Sequence, residues 1–174
     1  MNPPSLASVD ESASGTDAAT SAAMRILAHF ESFGTFGDLC GYTQQEMDAL
    51  YSVGYAHYRN ARYQAAHDIF AFLVQHDHLD RRYLHALAGA LQALGKYTDA
   101  IKFYGLALGY DIDDTSVIVP MAECFARSGD RATALECLDA LLALHAQTPQ
   151  DPALVSRAEA LRSLLNADRQ GERT

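Results

Sequence analysis

From Met47 to Leu144 the apolar and small residues recur at fixed places, and sliding the chain along itself by 34 positions brings them into line. Leu50, Leu84 and Ile118 coincide, as do Val53, Leu87 and Met121, and Gly54, Ala88 and Ala122. Further on, Ala66, Ala100 and Ala134 fall together, followed by Phe70, Tyr104 and Leu138. Midway through each copy stand Ala61, Gly95 and Gly129, small residues suited to a turn between two helices. The first half of a copy carries apolar residues at the first, fourth and fifth places of one face, which predicts an amphipathic helix A. The second half, small then large four places on, predicts a helix B packed closely on it. Three copies follow: the first to about Asp80, the second Arg81 to Asp114, the third Thr115 to about Thr148.

A 34-residue period with this spacing is the tetratricopeptide signature. The small residues let the two helices approach, and Phe70, Tyr104 and Leu138 fill the space that remains. One such hairpin cannot bury its own apolar face, so the copies must stack into a superhelix whose concave side is lined by helix A. The expected fold is all-α: a tetratricopeptide-repeat superhelix of three helix-turn-helix repeats over 47–148, with a helical segment before it and a capping helix after it.

The flanks follow from local signals. Residues 1–17 are Ser, Ala, Pro, Asp and Gly with little apolar content and read as a disordered leader. The segment 18–46 holds a helix from about Ala18, with Ala23, Met24, Leu27, Phe30 and Phe33 on one stripe. Gly34 and Gly37 break it, leaving a short element at Phe36 to Cys40. Thr43-Gln44-Gln45-Glu46 forms a capping box that opens the first helix A. Pro120 lies early in the third helix A and predicts a late start or a bend there. Asp151-Pro152 starts a last helix over 149–168, with Leu154, Ala158, Leu161, Leu164 and Leu165 facing one way to cover the apolar end of the third repeat. Residues 169–174 are polar and read as a frayed tail.

Composition narrows the class. A formal charge of -9 argues against nucleic acid or an anionic membrane as the main partner. Cys40, Cys124 and Cys137, an odd number without CxxC spacing, read as free thiols in a reducing compartment. No apolar run approaches the ~20 residues that span a bilayer, and no Lys or Arg precedes Arg25, so a basic secretory segment is lacking. These features predict a cytoplasmic protein.

The candidate chemistry lies on helix A. Tyr51, Tyr55 and Tyr58 are spaced i, i+4, i+7 on a face distinct from the core positions Leu50, Val53, Gly54 and His57. Five of the nine tyrosines fall between Tyr42 and Tyr63, which places aromatic anchors at one end of the concavity. The bland alternative is that these rings pack against the N-terminal helix. Repeat 2 supplies His85, Gly89 and Gln92 at the same positions and repeat 3 supplies Val119, Glu123 and Ala126, so the groove reads as aromatic and neutral with mild acidity. His76-Asp77-His78 lacks further ligands at a metal spacing, and no phosphate loop, nucleophile elbow or paired-carboxylate motif occurs. The chain reads as a binding protein without cofactor or metal, not an enzyme. The Lys/Asn/Arg clamp by which related repeats hold a terminal carboxylate is missing: Tyr51, Tyr55, Ala86, Ser116 and Pro120 stand there.

A narrower resemblance rests on Gly34-Thr35, Leu39, Tyr42-Thr43, Leu50-Tyr51, Gln64-Ala65-Ala66-His67 and Leu79-Asp80, then Gly95-Lys96-Tyr97, Ala100-Ile101, Pro120 and Ala122-Glu123-Cys124. Over about Ala18 to Leu144 the chain resembles the class II type III secretion chaperones, small tetratricopeptide proteins that hold translocator subunits. The resemblance implies a non-enzymatic cytoplasmic chaperone of two apolar pore-forming translocators. It also implies a groove that takes an extended segment from near the translocator N-terminus, with apolar and proline side chains in pockets. The family's groove residues fall on Tyr51, Tyr55, Tyr58, Tyr63, His78 and Tyr104, although the repeat pattern makes Tyr104 a packing residue of helix B. The unpartnered N-terminal stripe is expected either to pack on the first repeat or to form a weak homodimer. The alternative is a tetratricopeptide scaffold in another bacterial assembly.

Overall fold

In the structure, a computed structural model that describes residues 11–32, 34–149 and 151–171, each copy of the repeat is a pair of helices joined by a tight turn. The helices are α1 (Glu11–Glu31), α2 (Phe36–Cys40), α3 (Gln44–Arg59), α4 (Tyr63–His76), α5 (Arg81–Ala93), α6 (Tyr97–Tyr110), α7 (Ile118–Arg127), α8 (Arg131–Gln147) and α9 (Pro152–Gly171). Repeat 1 is α3–α4, repeat 2 is α5–α6 and repeat 3 is α7–α8. The three small mid-copy residues all adopt the left-handed conformation at the hairpin turn: Ala61 at φ 55°, Gly95 at 75° and Gly129 at 94°. Only the first of them carries a Cβ, which makes its turn the strained one.

The packing follows the periodic pattern. Ala66, Ala88, Ala100, Ala122 and Ala134 are fully buried, and Phe70, Tyr104 and Leu138 fill the space beside them. At Gly54 a Cβ would come within 2.6 Å of the Phe70 ring, so only glycine admits that ring. Successive repeats stack helix B on the next helix A, α4 on α5 and α6 on α7. One core cluster runs from Met47 to Cys124, and a second joins Val119, Ala122, Ala134, Leu138 and Leu141 to Ala158 and Leu165 of α9.

Both ends of the chain differ from expectation in extent. Residues 1–10 of the expected disordered leader and residues 172–174 of the expected tail lie outside the described residues, as does Phe33. The first helix begins at Glu11 rather than near Ala18. At the other end α9 continues to Gly171.

The capping signals act as anticipated. Glu46 N donates to Thr43 Oγ1 and Thr43 N to Glu46 Oε2 at the start of α3, and a second box, Thr35 with Asp38, opens α2. Before α7 the chain makes a 3₁₀ turn at Thr115–Val117, so Pro120 sits third in a helix that starts late, where its missing N–H costs no hydrogen bond. Ala153 N donates to Asp151 Oδ1 at the start of α9.

One expected core position and the apolar stripe of α1 stay exposed. Val53 is 49% exposed, because the position that packs on the preceding helix B in repeats 2 and 3 has no preceding repeat in the first. The α1 stripe does not pack on repeat 1: Met24 is 67% and Leu27 63% exposed. The short α2 docks on α4 instead. There Phe36, Tyr42 and Phe72 surround the buried His76 ring at centroid distances of 5.6, 5.2 and 4.0 Å, and His76 Nδ1–H donates to the Phe72 carbonyl. His76 is thus a packing residue, while His78 is exposed in the turn that follows.

Candidate functional site

Helices α3, α5 and α7 line the concave side, and between them lies a cavity of about 500 Å³. Its wall on α3 is Tyr51, Tyr55 and Tyr58; α5 supplies Arg82, His85, Ala86, Gly89 and Gln92; α7 supplies Pro120 and Glu123. Phe70 and Tyr104 form the floor, and Arg157 reaches in from α9. A second cavity of about 480 Å³ continues from it, sharing His85, Pro120 and Arg157 and bordered by Asp113, Asp114 and Asp151.

The aromatic wall is ordered by packing. Tyr51 and Tyr55 stack at 6.4 Å, and Tyr51 also leans on Phe70 at 5.8 Å and Tyr83 at 5.7 Å. Tyr55 remains 51% exposed. A Cβ on Gly89 would lie 3.7 Å from the hydroxyls of both Tyr58 and Tyr104, so the bare backbone there makes the hollow in which those hydroxyls sit. Burial raises the pKa of Tyr51, Tyr58 and Tyr104 above the ordinary phenol value, keeping all three neutral. It lowers that of His85, against the opposing pull of Asp114, so that ring is neutral at pH 7.

Polar side chains form a belt across the floor. Tyr104 Oη donates to Gln92 Oε1 at 2.7 Å, and Gln92 Nε2 donates to Glu123 Oε2 at 2.8 Å. Arg157 Nη2 donates to Glu123 Oε1 at 3.1 Å. At the opposite end Arg82 is held by Asp80 through Nε and Nη2 and by Asp48 at 3.1 Å, its guanidinium 5.8 Å from the Tyr51 ring centroid. Below the floor Cys124 is fully buried, and burial pushes its thiol up to about 12, so it stays protonated and unreactive. Among the described residues no group of three His, Cys, Asp or Glu is placed to hold a metal ion, and no helix is long and apolar enough to cross a membrane.

Of the residues singled out in the sequence, Tyr51, Tyr55, Tyr58, His85, Gly89, Gln92, Tyr104 and Glu123 come together around one cavity. Tyr104 belongs both to the helix-B core and to the groove floor. Tyr63 lines neither cavity and supports the wall from behind, its ring edge-on to Tyr58 at 5.4 Å. His78 lines neither cavity. Val119 is not a groove residue: it is fully buried. Helix α9 packs on α7 and takes Val119 into its cluster with Ala158 and Leu165, while Pro120, one residue on, lines the groove as Ala86 does in repeat 2. The groove also carries two guanidinium groups that its expected neutral character did not include. Arg82 stands in the first turn of α5 and reaches the groove by side-chain length, and Arg157 lies on a helix assigned only to capping.

The tetratricopeptide repeat family matches residues 83–114. Over 128 residues the chain is 30% identical to low calcium response locus protein H of Yersinia pseudotuberculosis, covering 74% of this chain and 76% of that protein. The type III secretion translocator chaperone SycD of Yersinia enterocolitica superposes with a TM-score of 0.68 at 29% identity, over 75% of this chain and 98% of its own; it has also been crystallised in an alternative dimer. PcrH of Pseudomonas aeruginosa, solved in complex with the chaperone binding region of PopD, superposes with a TM-score of 0.68 at 30% identity, over 74% of this chain and 97% of its own.

Proposed function

The chain belongs to the tetratricopeptide-repeat chaperones of type III secretion translocators, and we propose that it holds an extended, apolar segment of a translocator in its concave groove before export. The observation that carries this is the wall of Tyr51, Tyr55 and Tyr58 facing an open cavity of about 500 Å³. Aromatic surface of that kind, rimmed by polar groups, marks a binding site, and PcrH is solved in complex with the chaperone binding region of PopD. Apolar and proline side chains of the segment enter between the rings, and the neutral phenols offer hydroxyls to its backbone. The protein acts by binding, not catalysis, and does so in the cytoplasm. The exposed Met24, Leu27 and Phe30 on α1 form a weak homodimer contact apart from the groove.

The test is a peptide from the N-terminal region of a translocator, labelled for fluorescence anisotropy. A central aromatic anchor is worth roughly 2 kcal/mol or more, so Tyr51→Ala with Tyr55→Ala weakens binding about a hundredfold or more, at roughly 1.4 kcal/mol per factor of ten. Thermal unfolding of the same sample shifts less than for Ala66→Leu, which overfills a fully buried hollow between α3 and α4. Parental affinity in the double variant, or its unfolding, makes the rings bystanders or core and removes the groove assignment.

A further inference from the structure

Tyr55, Gly89 and Glu123 recur at intervals of 34 residues and all line the groove. The next residue in that series is Arg157, on α9, and it lines the same cavity. It is joined to Glu123 across a spacing of 34, as Arg82 of α5 is joined to Asp48 of α3. Helix α9 also packs on α7 and α8, burying Val155, Ala158 and Leu165. It stands, therefore, where the helix A of a fourth repeat would stand, with its groove position occupied by a cation.

We propose that α9 is a working wall of the cargo groove and that Arg157 donates hydrogen bonds to a main-chain carbonyl of the bound segment. This rests on the groove reading above and adds to it the partner of one residue. An extended segment brings unpaired backbone groups that must find partners once they leave water. Most polar groups of the belt are already committed: Gln92 donates to Glu123 and accepts from Tyr104, and both Glu123 oxygens accept. Arg157 uses Nη2 alone of its five donors in that belt, and its side chain is 58% exposed between the two cavities. The acceptor is a neutral carbonyl and not a cargo carboxylate, because Asp113, Asp114 and Asp151 border the adjoining cavity and repel a second acid.

The experiment uses the full chain and two labelled peptides: the translocator peptide itself, and the same peptide with every Asp and Glu changed to Asn and Gln. Arg157→Ala is expected to weaken both about tenfold, the worth of one hydrogen bond to a charged group, with thermal stability unchanged because the ion pair is exposed. Arg157→Lys recovers part of the loss. Arg162→Ala, whose bond to Asp139 lies outside both cavities, changes neither binding nor stability. A loss confined to the acidic peptide overturns the carbonyl assignment. A loss that tracks lowered thermal stability makes Arg157 a clasp for α9, and undiminished binding of both peptides overturns the proposal. The groove reading fails separately, when Tyr51→Ala with Tyr55→Ala leaves affinity intact.

Discussion

The two ends of this superhelix face the same physical problem and meet it differently. A stack of hairpins always leaves one apolar face uncovered at each end. At the C-terminal end, α9 docks on repeat 3 and buries Val155, Ala158 and Leu165 beside Val119, Leu138 and Leu141. At the N-terminal end, α1 is as long as α9 and carries an apolar stripe, yet Met24, Leu27 and Val53 remain exposed. The difference lies in the connections. Only a few residues separate α8 from α9, and α9 falls into the next helix-A place. Between α1 and the first repeat stands α2, whose five residues take the surface of α4 and approach it so closely that a Cβ on Gly37 would lie 3.1 Å from the His76 carbonyl oxygen. An end is closed by the segment that can occupy a repeat's place, and hydrophobicity alone does not put a helix there.

Removing each end helix is the most severe way to break this contrast. Truncation before Asp151 uncovers the second core cluster, and at ~25 cal/mol per Å² of apolar surface it costs several kcal/mol, enough to unfold repeat 3 in urea denaturation followed by circular dichroism. Removal of residues 1–33 leaves the urea midpoint nearly unchanged and abolishes concentration-dependent mass in sedimentation. A truncated N-terminus that unfolds the repeats would put α1 in the core after all. On the scale of single side chains, Leu165→Ala costs about 2–5 kcal/mol. Leu27→Ala costs about 0.5 kcal/mol or less in the same denaturation assay and acts on self-association alone.

A smaller effect separates the hairpin turns. Ala61→Gly relieves a left-handed residue that the other two copies fill with glycine, and raises stability by about 1 kcal/mol; Gly95→Ala in the next copy lowers it by a similar amount. Equal effects of one sign would remove the strain assigned to the first turn. The gentlest probe is alkylation at pH 8 under native conditions. Exposed Cys40 at the N-terminal end reacts first, while Cys124, buried and pushed up to about 12, reacts only as the fold opens. Prompt labelling of Cys124 would show repeat 3 opening without global unfolding.

The repeats were legible because their pattern records a steric necessity: Gly54 must be bare to admit Phe70, and Ala66 and Ala100 must be small for the helices to meet. The tyrosine wall was legible from three residues at helical spacing on a face distinct from the core positions, and the structure turns that face to the cavity. Val119 was misplaced because a 34-residue period does not say which side chains the last helix, α9, covers. Arg82 was missed because register marks where a side chain starts and not how far it reaches. The exposure of Val53 and of the α1 stripe depends on which neighbour is absent, and periodicity does not record that.

The cross-repeat ion pairs have a consequence for the order of the modules. Asp48 meets Arg82 one period on, but a further period from Arg82 stands Ser116; Glu123 meets Arg157, but a period back from Glu123 stands Gly89. Each junction is therefore keyed to its own neighbours. Excising repeat 2 would set Asp48 opposite Ser116 and Tyr55 opposite Glu123, and duplicating it would set Gly89 opposite a second Gly89. The hairpins share one scaffold geometry, yet they are not interchangeable parts, and shuffling them would scramble the sequence of aromatic, polar and charged stations that an extended chain meets as it runs along the groove.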